Sequence, residues 1–200
     1  MNRGMLIVGG LGLGGLVMML ATSGAPSSPG PAALPTPPTR DVLAGVQPLE
    51  GLPGVWVKPG VVLNPGLLTF LALYRANVPM EVPIVVTSGV RTPEAQAAVL
   101  VKKRRLGDNL YDLYRRGHGP QIVAALLAVP NTVAAMAPVL AGFAAQGVFL
   151  SRHMRGDALD LRTRGLSSQQ LQVLVAVAQA LGVKALVERT PPHLHFERLA

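Results

Sequence analysis

Residues 151–162 read SRHMRGDALDLR, and the fold can be worked out from this stretch. Its second half, Ala158 to Arg162, alternates, so a strand through it turns Leu159 and Leu161 to one face and Asp160 to the other. An acid opposite two leucines implies a sheet with an apolar side and a chemically equipped side. The C-terminal segment repeats the pattern, with His193 and His195 sharing one strand face and Leu194 and Phe196 the other. Val183 to Glu188 and His193 to Leu199 read as two short strands around the Pro191-Pro192 turn. Glu81 to Ser88 is a β-branched run that ends in a turn at Ser88-Gly89, hence a buried strand. Helices are announced by their caps: Asn64 before Pro65, running to Tyr74, and Thr92 before Pro93, running to Arg104 or Arg105. Apolar stretches at Ile122–Val129 and Thr132–Ala145 add supporting helices, and Ser167 opens an amphipathic helix that closes at Gly182. This order implies an α+β domain, an antiparallel sheet covered by helices.

Composition bounds the rest. Two hundred residues, half of them hydrophobic and only 14% charged, suffice for one ordinary domain plus a tail and argue against a disordered chain. There is no cysteine, which excludes disulfides, thiolate catalysis and any Cys-based metal site. The net charge of +8 favours an acidic partner: nucleic acid, anionic lipid or a bacterial wall polymer. With aromatics at 4% and not interleaved with the cations, there is little stacking surface, and no nucleic acid is expected. Residues 1–21 hold the uncharged, Gly-rich run from Gly4 to Ala21, which fits a hydrophobic membrane anchor or a secretory signal segment, with a buried packing segment as the remaining reading. Residues 22–40 are a Pro/Ser/Gly-rich linker, an extended spacer, and residues 41–200 form the folded domain. The domain is therefore expected on the outer side of a cytoplasmic membrane, anchored or exported. The basic run Lys102–Arg105 reads as a solvated helix end, where cations suit the dipole.

Three of the four histidines fall within two compact motifs. Two imidazoles and a carboxylate from separate segments make a three-ligand set for a catalytic Zn²⁺, leaving a fourth position for water. The residues around them sharpen this. Ser151 to Asp160 matches S-x-H-x-x-G-x-A-x-D, His193-Leu194-His195 is an H-x-H element, and Ser88 to Thr92 reads S-G-x-R-T. Together they resemble the zinc metallopeptidase group that includes D-alanyl-D-alanine carboxypeptidases, some phage endolysins and, more distantly, lysostaphin-type enzymes and the hedgehog signalling domain. The resemblance spans about Val82 to Glu197. It implies hydrolysis of an amide bond in the peptide stems of peptidoglycan, with His153, Asp160 and His195 as zinc ligands. It also implies that Arg91 contacts substrate and the oxyanion developing at the scissile carbonyl, the alternative being a structural salt bridge. Ser151 and Ser88 become supporting or substrate-contacting groups, and Gly156 and Ala158 steric requirements.

The general base departs from the group's pattern. Many members carry Glu or Asp three residues before the last ligand, where this chain has Pro192. His193, on the same strand face as His195, is the preferred substitute, and Glu188 the alternative if the Pro191-Pro192 turn brings it back to the metal. If neither serves, the chain is a non-catalytic zinc-containing protein that binds the wall or belongs to a virion or envelope assembly. Glu197 shares the imidazole face and can orient one ring. His118 reads as an exposed loop residue, Asp157 as facing solvent, and Trp56 and Tyr74 as groove or core aromatics. The bond cleaved (D-Ala-D-Ala, a cross-link or L-Ala-D-Glu) stays open, as does the choice between a phage lysis enzyme and a wall-remodelling carboxypeptidase.

Overall fold

The computed structural model describes residues 42–189 and 191–198. The anchor or signal segment and the linker, residues 1–40, lie outside the described residues. Among those described, no helix is long and apolar enough to cross a membrane.

In chain order the elements are β1 (Gln47–Pro48), β2 (Val55–Val57), α1 (Pro65–Asn77), β3 (Ile84–Ser88), α2 (Pro93–Arg105), α3 (Leu110–Leu113), α4 (Gly119–Leu127), α5 (Val133–Ala145), α6 (Arg152–Arg155), β4 (Ala158–Arg162), α7 (Ser168–Ala180), β5 (Val183–Arg189) and β6 (Pro192–Arg198). The six strands form one sheet in the order β1-β2-β3-β4-β6-β5. The α+β class is as expected, but the sheet is mixed, not purely antiparallel, because β2 and β3 run parallel. The connection explains it: α1 lies between these strands and carries the chain back to the end where β2 began, so β3 repeats its direction. The other pairs are antiparallel, and β5 and β6, joined by a tight turn, pair along their whole length.

Two apolar cores result. The first lies on the sheet face of Leu159, Leu161, Leu194 and Phe196, covered by Leu67, Phe70, Leu71 and Tyr74 of α1 and Leu174 and Ala178 of α7. Tyr74 belongs to this core, stacked on Phe70 and edge-on to Phe196, with its hydroxyl donating to the Leu174 carbonyl at 2.7 Å. Arg75, the next residue, is also buried and turns its guanidinium onto the carbonyls of Val78, Pro79 and Val82, closing the loop that follows α1. The second core is helical: Ala97, Leu100 and Val101 of α2 pack with Leu110, Ile122, Val123, Leu126, Met136, Ala137 and Leu140 from α3, α4 and α5.

The helix starts follow the expected chemistry. Asn64, Thr92, Thr132 and Ser167 each accept a backbone N–H of the first turn, and Ser167 forms a reciprocal capping box with Gln170. α1 continues past Tyr74 to Asn77 and stops at Val78, which precedes Pro79 and is extended, as the proline ring demands.

Candidate metal centre

The sheet face opposite the first core carries the site. Residues directly opposed in an antiparallel ladder share a face, and the register opposes Asp160 to both Ser88 and His195, and Glu188 to His193. Strand pairing alone thus gathers five polar side chains from three separate regions of the chain. The sixth, His153, arrives from above on the one-turn helix α6, directly before β4. That helix must stop abruptly. Gly156 ends it with φ of 78°, and a Cβ there would collide with the Asn64 side chain, whose amide donates to the Gly156 carbonyl at 2.9 Å. Gly156 is a steric requirement, as its place in the motif implies.

His153, Asp160 and His195 offer ligand atoms that all lie within 4.8 Å of one another, and the group can hold a metal ion. His153 Nδ1 lies 2.8 Å from the Gly89 carbonyl oxygen. A carbonyl only accepts, so Nδ1 carries the proton and Nε2 keeps its lone pair for the site. That Nε2 stands 3.3 Å from Asp160 Oδ1. Two ligand atoms bonded at about 2.0–2.1 Å to one tetrahedral ion stand about 3.3 Å apart, so this pair fits a shared ion. His195 Nδ1 is closer to the same oxygen, at 2.8 Å, a hydrogen bond. The nitrogen serves either a proton or an ion, so metal uptake displaces a proton there. The other His195 nitrogen, Nε2, faces Glu197 Oε1 at 3.5 Å, so Glu197 stands where it can orient the ring.

Electrostatics favour a negative carboxylate. Burial alone would push the Asp160 carboxyl up, but the His153 and His195 imidazoles beside it outweigh burial and hold the group far below the usual carboxylate range. Burial pulls the His195 imidazole down, and the Asp160 hydrogen bond and charge, with Glu188 and Glu197, more than reverse it.

Arg91 makes the salt bridge that was the alternative to a substrate contact. Its Nη2 donates to Asp160 Oδ2 at 2.8 Å, Nε to Ser88 Oγ at 3.0 Å and Nη1 to Gln96 Oε1 at 3.3 Å. Asp160 is therefore divided, one oxygen held by the guanidinium and the other turned to the imidazoles. Ser151 donates its hydroxyl to Gln96 Oε1 at 3.2 Å and so supports Arg91 at one remove.

The two candidate bases stand side by side. His193 Nδ1 donates to the Pro191 carbonyl at 2.7 Å, which leaves Nε2 facing Glu188 Oε2 at 3.4 Å and Asp160 Oδ1 at 3.7 Å. Glu188 is brought back by hairpin register, not by the turn bending over the site. Ala158 is buried opposite Glu197. Asp157 does not face open solvent: it is half-buried and paired with Arg152 at 3.2 Å and Arg155 at 3.3 Å. His118 is exposed, as expected, at the start of α4.

Sequence reasoning missed Gln96 and Tyr114. Gln96 falls on the buried stripe of α2 with Ala97, Leu100 and Val101, and a polar residue inside such a stripe is the available signal, since it must find partners there. Tyr114 has no comparable signature; burial pushes its phenol up, with Arg91 opposing.

Compared with the known protein-family models, the curated proteins and the solved structures, the chain matches none.

Proposed function

We propose that the chain is a zinc-dependent peptidase that hydrolyses an amide bond in peptidoglycan stem peptides. The observation that carries this reading is the convergence of His153, Asp160 and His195 within 4.8 Å, on a sheet face that also bears His193 and Glu188. The donor set, two imidazoles and a carboxylate with no thiolate, is that of catalytic zinc sites with a position left open. When bound, the ion supplies Lewis-acid polarisation of the scissile carbonyl and a more acidic attacking water.

The remaining steps belong to the chain's own groups. Arg91 holds Asp160 so that a single oxygen faces the site. His193, with Nδ1–H tied to the Pro191 carbonyl, presents a basic Nε2 that takes a proton from water and returns it to the departing amine. Glu188, across the hairpin, steadies the imidazolium formed in between. The +8 charge draws the catalyst to an anionic wall, and the linker and N-terminal segment suit a head that must reach that wall from a membrane.

The test is purified peptidoglycan digested by the full chain with and without a chelator, the products read by mass spectrometry. New amine and carboxyl termini should appear and vanish on chelation. His153→Ala should lose both zinc content and digestion; undiminished digestion would sink the mechanism. A chain that binds zinc and wall fragments yet releases no new amines would instead be a wall-binding protein built on the same centre.

A further inference from the structure

Gln96 is fully buried, the most deeply buried polar side chain among the described residues. Each polar atom of its amide is used. Oε1 accepts from Arg91 Nη1 at 3.3 Å and from Ser151 Oγ at 3.2 Å, while Nε2 donates to Tyr114 Oη at 3.2 Å. The amide has one workable orientation, because a guanidinium carries donors only and must meet the oxygen. Three separate segments thus close on one side chain: the turn before α2, the residue after α3 and the residue before α6.

What Arg91 does with its remaining reach gives this node a purpose. Its Nη2 holds Asp160 Oδ2 and its Nε is fixed by Ser88. A carboxylate turns broadly about its terminal torsion, so which oxygen faces His153 and His195 depends on what pins the other. We infer that Gln96 is a positioning residue for the metal-binding carboxylate, acting through Arg91 to keep Asp160 Oδ1 toward the two imidazoles. Ser151 and Tyr114 hold the amide in the orientation this needs. The inference rests on the reading of the site as a metal centre and adds to it a fourth residue outside the ligand set.

The experiment is a Co²⁺ titration of the full chain, followed by its visible absorption, with folding checked by circular dichroism. Gln96→Met keeps the side chain's length and removes the acceptor. It is expected to weaken Co²⁺ binding about tenfold or more, the usual cost of removing a group behind a ligand. Arg91→Ala should cost at least as much, and adding Gln96→Met to it should cost nothing further, because Gln96 works through Arg91. A purely structural role would instead give additive losses. If Gln96→Met does not fold, Gln96→Asn serves, an amide one methylene too short to reach Arg91, and the same loss is expected. Wild-type affinity in a folded Gln96 variant, or full additivity with Arg91→Ala, overturns the inference and leaves the metal centre standing. No Co²⁺ binding by the unaltered chain overturns the metal centre itself and the inference with it.

Discussion

At the scale of single residues, the proposed mechanism assigns metal binding and proton transfer to different groups. His153, Asp160 and His195 are held from behind by Gly89, Arg91 and Glu197 respectively. His193 is anchored through its Nδ1 contact with a turn carbonyl, and its Nε2 faces Glu188 and Asp160 from outside the three-residue group. His193→Ala is therefore expected to keep its zinc, measured by atomic absorption, while kcat falls about 10²–10⁴-fold, the usual range for a general base. Glu188→Gln should fall less, since that carboxylate is half-exposed and acts through His193. Loss of zinc in the His193 variant equal to that in His153→Ala would instead place this residue in the ligand set. The grouping of His153, Asp160 and His195 was legible because strand alternation fixes the face of Asp160 and His195 and motif spacing brings His153 to them. Gln96 was not, because its role depends on three partners that meet only in the folded chain.

Among elements, α6 is a single turn that must deliver His153 and then release the chain into β4. Gly156→Ala would place a side chain at positive φ and against Asn64, costing about 1–2 kcal/mol for the left-handed backbone alone. Denaturant melts should show that loss, together with weaker Co²⁺ binding, because the shifted residue follows directly on the helix that carries His153. α7 is a gentler case. Ser167→Ala removes a cap that bonds Gln170 N–H at 3.1 Å, with an expected loss of about 1 kcal/mol and metal affinity unchanged. Cap chemistry made the starts of α1, α2 and α7 readable in advance. β1 and β2, two and three residues long, are too short to impose a period. The parallel pairing of β2 with β3 follows from where α1 returns the chain, which no local pattern states.

For the whole molecule, stability is expected to have an alkaline edge. Burial pushes the Tyr74 phenol well above its ordinary value, against the smaller opposing effect of Arg75. The folded chain then keeps this proton where the unfolded chain, with a tyrosine pKa of about 10, releases it. Below that pH the group leaves stability unchanged; above it, stability falls as pH rises, because only the unfolded state gains by ionising. Thermal melts from pH 8 to 11 should show the decline, and Tyr74→Phe should make it shallower while giving up the hydrogen bond to Leu174, the buried Tyr114 phenol contributing the same sign. An unchanged slope in that variant would assign the edge to other groups.

The metal-binding group and the helical core meet at two consecutive residues. On α6, His153 turns to the metal site beside the sheet and Met154 packs into the helical core with Leu150. An ion bridging His153 to Asp160 and His195 would therefore act as a rivet, fastening the sheet to the helical layer through one turn of backbone. Amide exchange in α4 and α5, which carry none of the three metal-binding residues, should slow when metal is added. Met154→Ala, a change made entirely inside the helical core, should weaken metal binding from the far side of that rivet.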